Sequence, residues 1–90
     1  MPDTDLDRLL RSIGKSVFVR YYREFGDPTL TNQDLIDLLP EKYTYKSRVS
    51  RTSKARRIFR EDLEKEALTM IINSDRVDAE TVEQAKELLK

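Results

Sequence analysis

Leu6, Leu9, Leu10, Ile13, Val17, Tyr21 and Phe25 recur at steps of three and four. No other feature constrains this chain as strongly. That spacing gathers the side chains on one side of an α-helix, whereas a strand would divide them between its two faces. Phe18 and Tyr22 broaden the apolar side, which makes this helix the expected centre of the fold. Gly14 inside the stripe predicts a bend or a close packing contact. Gly26 followed by Asp27-Pro28 predicts a stop and a turn. A second stripe runs through Ala55, Ile58, Phe59, Leu63, Ala67, Met70 and Ile71, flanked by Leu68 and Ile72. No Gly or Pro occurs from Ser53 to Asn73, so the pattern predicts an uninterrupted helix there.

Start signals divide the rest. Asp3 or Thr4 is placed to cap the first helix. Thr31 stands as an N-cap with Asp34 three residues on, and Leu30 and Leu35 occupy staple positions. The short helix Asn32–Leu39 offers Leu35, Ile36, Leu38 and Leu39 to the core, and Pro40 stops it. Two readings then compete over residues 43–52. In one, Thr44 caps a helix that starts at Tyr45. Tyr45, Val49, Thr52, Ala55 and Phe59 then face one way, and Lys46, Ser47, Ser50, Arg51, Lys54 and Arg57 the other. In the second, the alternation of Tyr43, Tyr45, Ser47 and Val49 forms a short extended piece, and Thr52 or Ser53 caps a new helix. Asn73-Ser74-Asp75 breaks the chain again. Asp78 caps a last helix, with Val77 and Val82 as its staple and Val82, Ala85, Leu88 and Leu89 docking it. The expectation is all-α: one domain over residues 1–90, a compact bundle of four to five helices around one core. At this length about 60% of the unfolded surface can be buried, enough for one core.

Several functions lack their usual parts. Cys and His are both absent, which removes thiolate catalysis, the usual general base and the commonest zinc ligands. The expectation is a non-enzymatic protein with no metal and no cofactor. No apolar run approaches the roughly 18 residues that a membrane helix needs. The start, MPDTDLD, is acidic where a signal peptide would be basic. The reading is therefore cytoplasmic, without a membrane partner. Gly14-Lys15-Ser16 matches the end of a phosphate loop, but Leu9 stands where that motif needs Gly and the local pattern is helical. The carboxylate groups Asp3/Asp5/Asp7 and Glu61/Asp62/Glu64 lack the spacing of a calcium loop.

Charge is distributed unevenly. The segment Lys42 to Arg60 holds eight of the seventeen Lys and Arg residues and no Asp or Glu. Residues 61–90 carry four basic and nine acidic groups, so the formal net charge of zero is a cancellation. Such asymmetry concerns partners rather than fold. A basic segment rich in Ser and Thr suits nucleic acid, duplex DNA foremost. Lys46, Arg48, Arg51 and Lys54 would contact phosphates or bases, and Ser47, Ser50 and Ser53 would add hydrogen bonds. Arg57 and Tyr45 stand in second rank. Two rival readings remain. In one, the face is neutralised internally, by Arg57–Glu61 and Arg60–Glu64 pairs or by the acidic C-terminal third. Alternatively it docks an acidic protein, or a second copy in a self-associating helical domain.

Gln33 and the run Tyr43-Thr44-Tyr45-Lys46-Ser47-Arg48-Val49-Ser50-Arg51 carry a resemblance to the helix-turn-helix unit of DNA-binding domains, over residues 32–60. The resemblance implies a short helix packed behind a second one whose polar side enters the major groove, and a role in transcription regulation. Lys42 stands where that turn usually has Gly, Pro40 lengthens the connection, and Arg48 stands where a core aliphatic residue is expected.

Overall fold

Seven helical segments follow one another among the described residues: α1 (Pro2–Ile13), α2 (Lys15–Arg20), α3 (Tyr22–Phe25), α4 (Asn32–Leu38), α5 (Tyr45–Arg60), α6 (Glu64–Ile72) and α7 (Ala79–Leu89). The computed structural model describes the backbone of residues 2–90 and the side chains of residues 5–90. The side chains of Asp3 and Thr4, the expected first caps, lie outside the described residues. The fold is all-α, as the periodicity predicts. It has seven segments rather than four or five because both long stripes are broken.

The first stripe breaks twice, at Tyr21 between α2 and α3 and at Gly14, whose φ is +93°. L side chains rarely adopt that conformation, and Gly does so freely. The helical ladder runs up to Gly14 and resumes after it, through Gly14 N to Leu10 O at 2.8 Å and Phe18 N to Gly14 O at 2.9 Å. The axis therefore turns without the chain leaving the core. The second stripe was expected to run on through residue 73, and it does not. Asp62 takes φ +58°. Leu63 N bonds to Ile58 O at 2.9 Å and Asp62 N to Phe59 O at 3.1 Å. These two bonds, around a left-handed residue, form a Schellman stop. Asp is among the few non-Gly residues that tolerate this region, so the break needed neither Gly nor Pro.

The start signals of α4, α5 and α7 are realised, whereas Asp3 and Thr4 already lie within α1 and do not cap it. Thr31 Oγ1 accepts from Asp34 N at 3.1 Å, and Asp34 Oδ2 accepts from Thr31 N at 2.9 Å, a complete capping box. Thr44 Oγ1 accepts from Ser47 N at 3.1 Å, and residues 45–60 are helical throughout. The extended alternative for residues 43–52 is thereby excluded. Asp78 Oδ2 accepts from Thr81 N at 3.2 Å at the start of α7.

The core is built on α1 and α5, which pack on each other. α5 also packs on α4 and α3, while α7 lies on α6 and α2. Leu6, Leu10, Ile13, Phe18, Phe25, Leu35, Ile58, Leu68 and Ile71 are almost wholly buried. Phe18 meets the rings of Tyr22, Phe25 and Phe59 at centroid distances of 5.6, 6.4 and 5.9 Å. Gly26 ends α3 as expected, but in a right-handed conformation. A Cβ there would lie 2.7 Å from Phe59 Cε1, so the glycine leaves room for that ring. Leu38 and Leu89 were expected in the core, yet they are 48% and 38% exposed. Among the described residues, no helix is long and apolar enough to cross a membrane.

Candidate nucleic-acid interface

Every expected site residue lies on α5, so the orientation of that helix decides which of them meet solvent. Thr52, Ala55 and Ile58 are buried, Phe59 is partly buried, and Tyr45 and Val49 are exposed at 56% and 37%. The inward line is thus rotated from the one expected. It passes between Arg48 and Arg51 rather than through Tyr45 and Val49. The N-terminal half of α5 lies against the ends of α1 and α4, and helix ends present carbonyls that lack a partner in their own helix. An arginine satisfies such a surface better than an aliphatic side chain does.

Three arginines act in this way. Arg51 Nη1 donates to Ile13 O at the end of α1, and its Nε donates to Ser47 Oγ at 3.0 Å. Its guanidinium carbon sits 3.9 Å from the centroid of the Tyr43 ring. Arg56 Nη1 donates to Phe25 O at 2.9 Å and Asp27 O at 3.0 Å, and its Nη2 donates to Leu30 O. Arg48 Nη1 donates to Ile36 O of α4 at 3.3 Å. A planar fork of donors fits several carbonyls at once, and its charge complements the negative end of each helix. Arg48 and Arg51 were expected to contact phosphates or bases. They are anchors instead, and Ser47 is engaged by Arg51. Arg56 was absent from the expected site, and its role as an anchor is set by the turn it grips, 26 to 31 residues earlier.

Polar atoms beside the anchors lack partners. Among the described residues, Arg48 Nε and the Thr52 hydroxyl are buried without a hydrogen-bond partner. So is Glu64 Oε2. The Tyr22 hydroxyl is pushed above its ordinary pKa, first by burial and then by the charge of Glu64.

The outward side of α5 presents Lys46, Ser53, Arg57 and Arg60 as exposed residues, with Ser50 and Lys54 half-exposed beside them. Arg57 pairs with Glu61 at 2.6 Å, as expected, and the bond and charge of Glu61 raise its pKa further. The expected Arg60–Glu64 pair is absent among the four ion pairs of the described residues, because the stop at Asp62 separates the two residues. All four pairs join residues three or four apart. Among the described residues, Glu61 is therefore the one carboxylate of residues 61–90 paired with a cation of the basic segment. Lys54 and Arg57 share a groove with Asp5, Arg8, Leu9 and Ser12 of α1. Arg8 joins this face through the packing of α1 on α5, and nothing in its local sequence marked it. Tyr45 stands at the other end of the face, its hydroxyl donating to Gln33 Oε1 of α4 at 3.3 Å.

No protein-family model, curated protein or solved structure matches this chain.

Proposed function

We propose that the protein binds duplex nucleic acid, DNA foremost, through the outer side of α5, and that it acts as a non-enzymatic regulatory protein in the cytoplasm. Lys46, Lys54, Arg57 and Arg60 neutralise phosphates, with Arg8 across the groove. Ser50 and Ser53 donate to phosphate oxygens, and Tyr45 lies against the backbone beside them. Arg48, Arg51 and Ser47 hold the helix in place and leave the contact set. The observation that carries this reading is that Lys46, Lys54 and Arg60 have no ion-pair partner among the described residues. Glu61 at the end of the helix pairs with Arg57, and the other ion pairs of the described residues lie elsewhere.

Fluorescence anisotropy with a random duplex at two salt concentrations tests it. Binding should weaken steeply with salt, by close to one unit of logarithmic slope per phosphate contacted. A flat titration at low salt overturns the proposal. Exposed Tyr45 and Val49 beside Lys46 favour a second reading, in which the same face docks an acidic protein. A duplex that binds weakly and with a shallow salt slope would favour that reading.

A further inference from the structure

The Gly14-Lys15-Ser16 string fails as a phosphate loop, since it lies at a bend between two helices. The bend nevertheless puts it beside an open cleft. Arg11, Lys15, Ser16, Arg76, Val77 and Asp78 line this cleft of about 820 Å³. They come from the end of α1, the start of α2 and the connection before α7, so the site exists only in the folded chain. Lys15 Nζ donates to Ser74 Oγ at 3.1 Å, which ties the bend to that connection. Behind the bend, Arg51 holds the Ile13 carbonyl.

The charges in the cleft are unbalanced. Arg11, Lys15 and Arg76 line it with one carboxylate, Asp78, and a second, Asp7, is paired with Arg11. The Asp78 carboxylate is turned to its own helix: Oδ1 accepts from the Thr81 hydroxyl at 2.7 Å and Oδ2 from Thr81 N at 3.2 Å. Arg11 pairs with Asp7 through Nε at 3.0 Å, and its side chain is 74% exposed. Ser16 adds an exposed hydroxyl.

We infer that this cleft binds the phosphate group of a small phosphorylated molecule. Two guanidinium groups and one ammonium supply the charge-assisted donors that a dianionic phosphate needs, and Ser16 supplies a neutral one. The volume lies within the range of about 300–1,000 Å³ usual for small-molecule sites. Polar walls suit a ligand held by its charged end. The inference does not depend on the α5 reading, because none of these residues belongs to that face.

Isothermal titration of the full chain with inorganic phosphate, and separately with a nucleoside 5′-monophosphate, at fixed ionic strength, tests the site. Both probes should bind. Lys15→Gln and Arg76→Gln should each weaken binding about tenfold, and Lys15→Arg should restore most of it. Lys46→Gln, on the α5 face, should leave it unchanged. Circular dichroism confirms that each variant is folded. Binding of the nucleotide alone would place recognition in the base or sugar and overturn the phosphate assignment. So would no binding of either probe at 10 mM, or equal weakening by Lys46→Gln. Duplex titration of the same variants separates the two proposals, since loss at Lys15 should leave duplex affinity intact.

Discussion

α5 carries two sets of cations that sequence cannot tell apart. Arg48, Arg51 and Arg56 reach inward and donate to carbonyls of α4, α1 and the α3–α4 turn. Lys46, Lys54, Arg57 and Arg60 lie outward, and only Arg57 has a carboxylate partner among the described residues. The first set fixes where the helix sits. The second set lies toward solvent. Charge density alone therefore overstates a binding face, because buried helix ends also select for arginine. In this helix the anchors are all Arg and the free cations include both of its lysines, in keeping with the forked geometry that carbonyl clusters favour.

Removing an anchor should produce the largest effect. Arg56→Met leaves three carbonyls without their donor and should cost about 2–4 kcal/mol in urea denaturation, or several degrees in Tm for each kcal/mol. If it costs no more than Lys46→Gln, the division into two sets collapses. Gly14→Ala should follow at about 1–3 kcal/mol, because it combines a disfavoured φ with a Cβ placed 3.0 Å from Arg51 Nη1. The outer set should behave in the opposite way. Lys46→Gln and Arg60→Gln should each reduce duplex affinity about threefold to tenfold at low salt and lower the salt slope by close to one unit. Their stability should stay within about 0.5 kcal/mol of the parent. Unchanged affinity in both variants would remove α5 as the binding face.

Thr52→Val sharpens the comparison from the inner side. Thr52 is 1% exposed and its hydroxyl is unpartnered among the described residues, so an isosteric apolar side chain should stabilise the fold by about 1 kcal/mol. A loss of stability would reveal a hydrogen bond at that position. The smallest effect lies away from α5 and serves as a reference. Bonds from the Thr81 hydroxyl and amide hold the Asp78 carboxyl below its ordinary value of 3.8. Its folded pKa is thus below its unfolded one. The stability it contributes is present above about pH 4 and disappears as pH falls through the folded value. Asp78→Asn should flatten that part of the acid-denaturation profile. An unchanged profile would assign the acid sensitivity to other carboxylates, Asp27 first, whose pKa Thr29 lowers in the same way.

Much of the fold was legible because its signals are local. A capping box needs only Thr31 and Asp34, and a stripe needs only spacing. The Schellman stop was not legible, because Asp62 in a left-handed conformation looks like any other surface carboxylate. The candidate site was legible as a segment but not as a surface. Ser47 and Arg51 looked as free as Ser53 and Lys54, while Arg8 lay far off in sequence.

The sequence by itself determined the helices, most of their boundaries and the concentration of cations between residues 42 and 60, since periodicity, caps and charge are carried by neighbouring residues. Tertiary structure alone decided the rotation of α5, and with it which cations grip carbonyls and which face water. Unpaired carbonyls at a helix end are filled by whichever donor folding brings near, and that donor lies tens of residues away along the chain.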